Sequence, residues 1–321
     1  MALQSSGQIK ISDILSEAGL STTLADASLG DLENQALFTI NTGNSPSNYP
    51  DGSAPASISE WYSYDHNLSA YTNTHYYEID RGQALKSTTT SSPFNLSGSQ
   101  DLSISLWVSK GATVNNEVIW DMANSTSTAN RFFIQYSYSL NRFVIRHRTS
   151  SVNYDRQFAL HDNNSSIGCG TSSGTKWSNT NKGNVNAQGA CLITVTYDAS
   201  ESNATNGIKL YWNATEVTTQ AAANSGSRST SAVNQFTLGN NNHNPTTTAG
   251  GFNGTFDEVK IYSSVLTPAQ VSTIYNSGDP VNADNSYSTN LITEFDFDGN
   301  VRDSAGDFET TANNTGTRAS Y

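Results

Sequence analysis

A strict alternation of apolar and polar residues is the feature of this sequence that most limits how it can fold. In residues 102–108 every second side chain is aliphatic, and the residues between them are serine or tryptophan. A period of two puts successive side chains on opposite faces, which predicts a strand with one buried face. Further segments of strand character lie at residues 117–122, 131–138, 141–148, 191–197, 207–212 and 235–239. Many short strands separated by turns rich in Gly and Asn predict an all-β sandwich or barrel.

Charge and hydropathy exclude two classes of partner. The chain of 321 residues has 16 Lys and Arg against 28 Asp and Glu, a net charge of −12. An acidic chain repels phosphate backbones, so we expect no nucleic-acid partner. No apolar run approaches the roughly 20 residues of a membrane helix, so we expect no membrane insertion.

The N-terminal sequence MALQSSGQIKISDIL has no apolar core of signal-peptide length. We therefore expect synthesis in a host cytoplasm without a signal peptide, although the composition is that of a surface protein. The two cysteines, Cys169 and Cys191, are compatible with one bridge or with two buried thiols.

Three parts of the chain are expected from the pattern. Residues 1–66 contain two short helices, one starting at Ser12 or Asp13 and ending at Gly19, the other spanning residues 29–37. Ser28 and Asp31 form a capping-box variant before the second helix. Residues 67–284 contain the strands and a late helix, and residues 285–321 contain one more strand and a polar tail. In the late helix we expect Thr267 as N-cap, Pro268 at the first position and Gly278 past the end.

The late helix and the strand before it resemble the closing motif of laminin G-like and concanavalin A-like domains. A turn containing Gly254 leads into Asp257-Glu-Val-Lys-Ile-Tyr and then into the helix. Residues 192–198 and 208–213 are similar to the hairpin of that family, with Ala214 in place of the turn glycine. The resemblance covers residues 76–278 and implies a two-sheet jelly-roll sandwich.

Residues 291–306 resemble the opening strand of the same family, although they follow the closing helix. Fewer than 40 residues cannot form a second sandwich, so we expect a strand added to the same domain or to a neighbouring subunit.

Residues 7–14, 27–32 and 58–62 have a separate resemblance to a short element of tailed-phage structural proteins. This resemblance implies a small helical segment that attaches the protein to a virion. The candidate attachment residues are Ile9, Ile11, Ile14, Leu29, Leu32, Trp61 and Tyr62.

Enzymes occur on this fold, and the nearest match to their acidic strand is Glu294-Phe-Asp296-Phe-Asp298. Two carboxylates are what glycoside hydrolysis needs, which makes a glucanase using Glu294 and Asp298 one alternative. The last acid is the shorter Asp, and the phenylalanines alternate with the acids as in a half-buried edge strand, so we expect no enzyme activity. We expect no required cofactor, and calcium is a candidate ligand because the resembling domains often hold it. Its candidate ligands are Asp257, Asp296 and Asp298.

Glycan binding requires an aromatic platform with polar partners on loops at the rim of the sandwich. Trp177 is the candidate platform, with Tyr154 and His161 near it in sequence. We predict a non-enzymatic virion protein at the particle surface, such as a tail fibre, a tail-associated protein or a capsid decoration, that contacts other virion proteins and host-surface glycans. A structural interaction module without glycan affinity is the second alternative. Such appendages are symmetric homo-oligomers, and we expect a trimer or higher.

Overall fold

The computed structural model describes most of the sandwich and part of the N-terminal region. The described residues are 8–22, 28–33, 75–87, 100–111, 116–123, 131–148, 153–159, 191–218, 220–226, 235–241, 248–276, 287–297, 310–313 and 317–320, with Leu3, Leu37 and Trp61.

Strands dominate the described residues. They are β1 (His75–Ile79), β2 (Ala84–Ser87), β3 (Leu102–Lys110), β4 (Glu117–Ala123), β5 (Arg131–Ser137), β6 (Arg142–Arg148), β7 (Asn153–Ala159), β8 (Cys191–Tyr197), β9 (Ile208–Trp212), β10 (Thr215–Glu216), β11 (Gln220–Ser225), β12 (Gln235–Leu238), β13 (Gly254–Tyr262), β14 (Leu291–Phe295), β15 (Thr310–Asn313) and β16 (Thr317–Ser320). The helices are α1 (Ile11–Glu17), α2 (Leu29–Glu33), α3 (Ala204–Gly207) and α4 (Pro268–Tyr275).

The strands form two antiparallel sheets packed as a sandwich. Sheet A has the order β10-β9-β8-β3-β13-β1-β16, and β14 also pairs with β13. Sheet B has the order β11-β7-β6-β5-β4-β12-β2-β15. The predicted all-β sandwich of two sheets is confirmed.

The core lies between the sheets and follows the predicted alternation. In β3 the residues Leu102, Ile104, Leu106 and Val108 belong to one buried cluster with side chains of sheet B such as Trp120, Phe132 and Ile145. Cys191 is buried in this core, and its Sγ lies 3.6 Å from the Val108 carbonyl oxygen.

The C-terminal residues complete both sheets. The predicted additional strand is confirmed as β14, which pairs with β13 through Val259 to Tyr262. It ends at Phe295, three residues earlier than the sequence pattern predicts. Two strands that the sequence did not predict follow it: β15 pairs with β2 in sheet B, and β16 pairs with β1 in sheet A.

The chain divides into two compact units. The first comprises Met1–Thr72 and Val281–Ser288, and the second comprises Asn73–Pro280 and Thr289–Tyr321. In the first unit Ile9, Ile14, Leu15, Leu32 and Trp61 are buried in one apolar cluster. Ile11 and Leu29 are partly buried against that cluster.

Helix ends differ in part from the predicted ones. α1 follows Lys10, not Ser12 or Asp13, because the Asp13 carboxylate at the third helical position accepts the Lys10 backbone N–H at 2.8 Å. α2 is described over Leu29–Glu33, and residues 34–36 of the predicted helix lie outside the described residues. The predicted box at its start is present, since the Asp31 carboxylate accepts the Ser28 N–H at 2.9 Å. α4 begins after Thr267 as predicted but ends at Asn276, whose φ of 43° provides the left-handed cap expected of Gly278.

Candidate functional site

A pocket of about 640 Å³ lies at one end of sheet A. Its walls come from the end of β8, the turn and α3 that follow it, β9, β10, and the segment that leads into α4. Arg156 of β7 is the contribution from sheet B. Polar side chains in the lining include Thr196, Asp198, Thr205, Asn206, Lys209 and Glu216.

Strand alternation decides which side chains of β8 and β9 reach the pocket. Val195, Tyr197, Ile208 and Leu210 belong to the sandwich core. Thr196 is paired with Lys209, and Tyr211 is paired with Glu216 of β10, so these residues lie on the opposite, outer face of sheet A. The wall formed by β8 and β9 is therefore polar, because its side chains are the ones that alternate away from the core.

The turn between β8 and β9 is fixed by its own side chains. The Asp198 carboxylate accepts hydrogen bonds from the Ser200 backbone N–H at 2.8 Å and from the Ser200 hydroxyl at 2.6 Å. Asn203 caps α3, since its side-chain oxygen accepts the Thr205 N–H at 2.9 Å. These bonds within the protein hold Thr205 and Asn206 at the rim of the pocket.

The segment before α4 is anchored to the outer face of sheet A by Ser103. The Ser103 hydroxyl donates to the Ser264 carbonyl oxygen at 2.7 Å and accepts the Leu266 N–H at 3.0 Å. α4 itself packs on the same face, where the rings of Tyr275 and Trp107 are stacked with centroids 5.8 Å apart. Trp107 is therefore buried on the outer side of sheet A and not between the two sheets.

The charges of the pocket are mixed. Lys209 and Glu216 lie 3.7 Å apart across β9 and β10, and both are partly exposed. Burial raises the pKa of Tyr211 to about 12, and the charge of Glu216 adds to this shift. The Tyr211 hydroxyl is therefore neutral at ordinary pH and can both donate and accept hydrogen bonds.

Of the predicted ligand-binding residues, the structure describes only Tyr154. This residue is buried in the core, where its ring contacts Tyr197 edge-on and its hydroxyl donates to the Glu201 carbonyl oxygen at 2.9 Å. A ring in that position has no free face on which a sugar could stack, so Tyr154 is not a binding platform. Trp177 and His161 lie outside the described residues.

The predicted attachment residues form an apolar cluster inside the N-terminal unit. Ile14, Leu32 and Trp61 are fully buried, and Ile9 is 7% exposed. Because the fully buried side chains pack on one another, a partner would contact this unit through other residues, among them the partly exposed Ile11 and Leu29. Tyr62 lies outside the described residues.

Of the predicted calcium ligands, the structure describes Asp257 and Asp296. Asp257 is buried, and its Oδ1 accepts the Glu258 N–H at 2.9 Å. Asp296 is partly buried just beyond the end of β14, and Asp298 lies outside the described residues. The described residues contain no group of three or more His, Cys, Asp or Glu side chains placed to hold a metal ion. The Asp257 carboxylate is thus bonded to the backbone, and within the described residues it is not part of a group of oxygen ligands such as calcium requires.

The acidic strand considered for glycoside hydrolysis is engaged in an internal ion pair. Glu294 is 6% exposed, and its Oε1 lies 3.5 Å from the Nζ of Lys260. A general acid or a nucleophile must reach its substrate, whereas this carboxylate faces a lysine of the neighbouring strand.

No sequence motif marks the pocket residues, so the sequence does not predict the pocket. In residues 208–212 the side chains of Lys209 and Tyr211 alternate away from the core, and this alternation could have identified them as one polar face. The approach of the segment 265–268 and of Arg156 follows only from the tertiary structure.

The architecture and the family comparison agree. The model of the concanavalin A-like lectin/glucanases superfamily, of the laminin G type, matches residues 81–272. The chain belongs to this superfamily. The match spans β13 and part of α4, which carry the motif that suggested the family.

Solved structures with a similar fold are distant in sequence. A candidate carbohydrate binding protein from Bacteroides ovatus has 13% identity and a TM-score of 0.46 over 81% of this chain and 62% of its own. The heptameric SAP-like pentraxin of Limulus polyphemus has 10% identity and a TM-score of 0.48 over 78% of this chain and 97% of its own. The CBM40 of the Ruminococcus gnavus IT-sialidase has 12% identity and a TM-score of 0.39 over 62% of this chain and 96% of its own.

The chain spans about six tenths of the length of the Bacteroides ovatus protein. Among curated proteins, no sequence matches the chain. In the residues that the structure describes, no helix is long and apolar enough to cross a membrane.

Proposed function

We propose that this protein is a non-enzymatic, glycan-binding structural component of a virion, and that the pocket on sheet A binds the glycan. The observation that carries the binding proposal is the pocket itself. It combines a cavity of about 640 Å³ with charged, hydroxyl and amide side chains held by the turn and by the anchored α4 segment. Cavities of 300–1,000 Å³ with a few fixed polar groups are typical of small-ligand sites.

The composition of the wall suits a sugar. Each sugar hydroxyl both donates and accepts, so a site needs donors and acceptors side by side. Lys209 and Asn206 supply donors, and Glu201 and Glu216 supply acceptors. Membership of a superfamily described by its lectins and glucanases supports the same class of ligand.

A binding role is favoured over catalysis. The acids at positions 294 and 298 were the candidates for the glucanase alternative, and Glu294 is occupied by Lys260. We propose that calcium is not required for the pocket to bind, because two cations of its lining, Arg156 and Lys209, already offset most of the charge of its three carboxylates.

The virion assignment rests on a different part of the chain. Residues 7–14, 27–32 and 58–62 resemble the attachment element of tailed-phage structural proteins. The apolar cluster of Ile14, Leu32 and Trp61 supports this proposal, because it gives the short segment a core of its own. We propose that this unit docks on other virion proteins as part of a tail fibre, a tail-associated protein or a capsid decoration, and that the appendage is a homo-oligomer of three or more copies at the particle surface.

Glycan binding is tested on an array of bacterial surface glycans, followed by titration calorimetry with each glycan that binds. Replacement of Lys209 by Met removes a charged donor of the pocket and should weaken binding about tenfold. The matched control is Lys86→Met, because Lys86 lies in β2 of sheet B and not in the pocket lining. Equal affinity of the Lys209→Met variant and the unmodified protein would exclude the pocket. Absence of binding to any glycan would favour a structural module without glycan affinity.

The virion role is tested by mass spectrometry of purified particles whose subassemblies have been separated. We expect the protein in one subassembly in a fixed copy number that is a multiple of its oligomeric state. Its presence only as a free protein in the lysate would overturn the proposal.

A further inference from the structure

Arg156 differs from the other charged residues of the pocket in how it is bonded. It lies in β7 of sheet B, is only 6% exposed, and lines the pocket. Its Nη1 donates to the Ile208 carbonyl oxygen at 2.6 Å, and its guanidinium lies over the Phe158 ring at 4.6 Å. These two contacts hold the guanidinium beside β9, and among the described residues no carboxylate lies at ion-pair distance from it.

The remaining edge of the guanidinium has no acceptor among the residues that the structure describes. Within the described part of the chain, the buried Nε of Arg156 has no hydrogen-bond partner, and Arg156 forms no ion pair. Burial lowers the pKa of Arg156, and the charge of Glu216 partly offsets that effect. A buried cation without a paired anion is costly, so such groups are normally paired with a carboxylate or with another anion.

Three of the other four charged side chains of the pocket, those of Lys209, Glu216 and Asp198, already have protein partners. Lys209 is paired with Glu216 at 3.7 Å, and the Asp198 carboxylate accepts two hydrogen bonds from Ser200. Glu201, partly exposed at the rim, supplies an acceptor for a hydroxyl group. An incoming anion would therefore find its natural partner at Arg156 and not at Lys209.

We infer that Arg156 binds the carboxylate of an acidic sugar, which makes the pocket selective for glycans that contain such sugars. This inference rests on the proposed glycan-binding function of the same pocket. Because Nη1 is occupied by Ile208, the edge formed by Nε and Nη2 remains, and this edge of a guanidinium binds a carboxylate through two parallel hydrogen bonds. A small rotation of the guanidinium is required, since Nε is shielded from solvent. The sugar hydroxyls then face Lys209, Glu201 and Asn206.

The decisive experiment changes the ligand and leaves the protein intact. Binding of the full chain is measured by calorimetry for oligosaccharides of hexuronic acids and of sialic acids, each beside its carboxyl-reduced counterpart. Reduction converts the carboxylate to a neutral hydroxymethyl group and should weaken binding about 10- to 100-fold, as expected for loss of a charge-assisted pair. Equal affinity for an acidic sugar and its reduced counterpart overturns the inference.

A variant pair then assigns the effect to Arg156. Arg156→Gln should abolish the preference for the acidic ligand, while Arg148→Gln, an equal charge change on the outer face of sheet B, should retain it. If Arg156→Gln does not fold, the comparison of each acidic sugar with its carboxyl-reduced counterpart on the unmodified protein still tests the inference.

The outcomes separate this inference from the proposed function. Binding of neutral glycans that depends on Lys209 but is indifferent to carboxylates would overturn the inference and leave the proposed function standing. Failure to bind any member of either set would overturn both.

Discussion

Lys260 of β13 and Glu294 of β14 form an ion pair of 3.5 Å whose side chains are almost wholly shielded from solvent. Glu258 adds a second carboxylate 3.0 Å from the same Nζ. Glu258 lies in a β-bulge of β13 and has a φ of 44°, a left-handed conformation that favours glycine. Burial alone would lower the pKa of Lys260, but the charges of Glu258 and Glu294 more than compensate and raise it. This group of charges therefore connects the late strand β14 to the central strand of sheet A.

Replacement of Lys260 by Met should strongly destabilise the sandwich. The change leaves the buried Glu258 and Glu294 carboxylates without their shared cation, which costs about 3–5 kcal/mol in comparable buried pairs. Urea unfolding followed by tryptophan fluorescence measures the loss. Lys209→Met is the matched control, because its ion pair with Glu216 is partly exposed, and it should cost less than about 1 kcal/mol. Similar losses of stability in both variants would show that the buried ion pairs of Lys260 contribute no more than an exposed ion pair.

Glu117 should make the stability of the protein depend on pH. Burial raises its pKa from 4.5 to about 7, although Lys110, whose Nζ lies 2.6 Å from Oε2, opposes the shift. Because the folded-state pKa is higher than the unfolded one, the stabilising contribution is fully present below pH 4.5 and is lost as the pH rises through about 7.

The comparison uses urea unfolding of the unmodified protein and of Glu117→Gln at several pH values between about 4.5 and 7.5. Groups that do not interact with Glu117 cancel, so the stability of the variant relative to the unmodified protein should increase across this range by roughly 1–3 kcal/mol. A flat difference for Glu117→Gln would contradict the predicted titration.

Gly207 is required by the close approach of Tyr154. A Cβ at position 207 would lie 2.1 Å from the Tyr154 hydroxyl oxygen. Gly207→Ala should therefore destabilise the protein by about 1–3 kcal/mol, as overpacked cores do. Tyr154→Phe removes that oxygen, so the double variant should lose less stability than the sum of the two single variants. Strict additivity in this double-mutant cycle would show that the two sites do not interact.

Ser103 should control the wall of the pocket that leads into α4. Ser103→Ala removes the acceptor of the Leu266 N–H and the donor to the Ser264 carbonyl oxygen. Two partly buried groups without partners should cost about 1–3 kcal/mol, and glycan affinity should fall because the segment 265–268 is no longer held. Ser103→Thr keeps the hydroxyl and serves as the control. Unchanged binding and stability in Ser103→Ala would show that the wall is fixed by other contacts.

The sequence predicted the long strands but not the pocket. The alternation in β3, β8 and β9 was sufficient to predict these strands and their inward faces, because which residues face the core depends only on local chain geometry. The short polar strands β15 and β16 have no apolar period. They are stabilised by backbone pairing with β2 and β1, which distant residues provide.

The sequence by itself determined the all-β class, the family motif around Asp257 and the capped start of α4 at Thr267, because each depends on residues that are neighbours along the chain. Only the tertiary structure decided that β14 to β16 complete both sheets and that Arg156, Lys209 and the segment before α4 share one pocket. These residues are separated by dozens of positions, and their contacts depend on how two sheets and a helix pack, which no local pattern records.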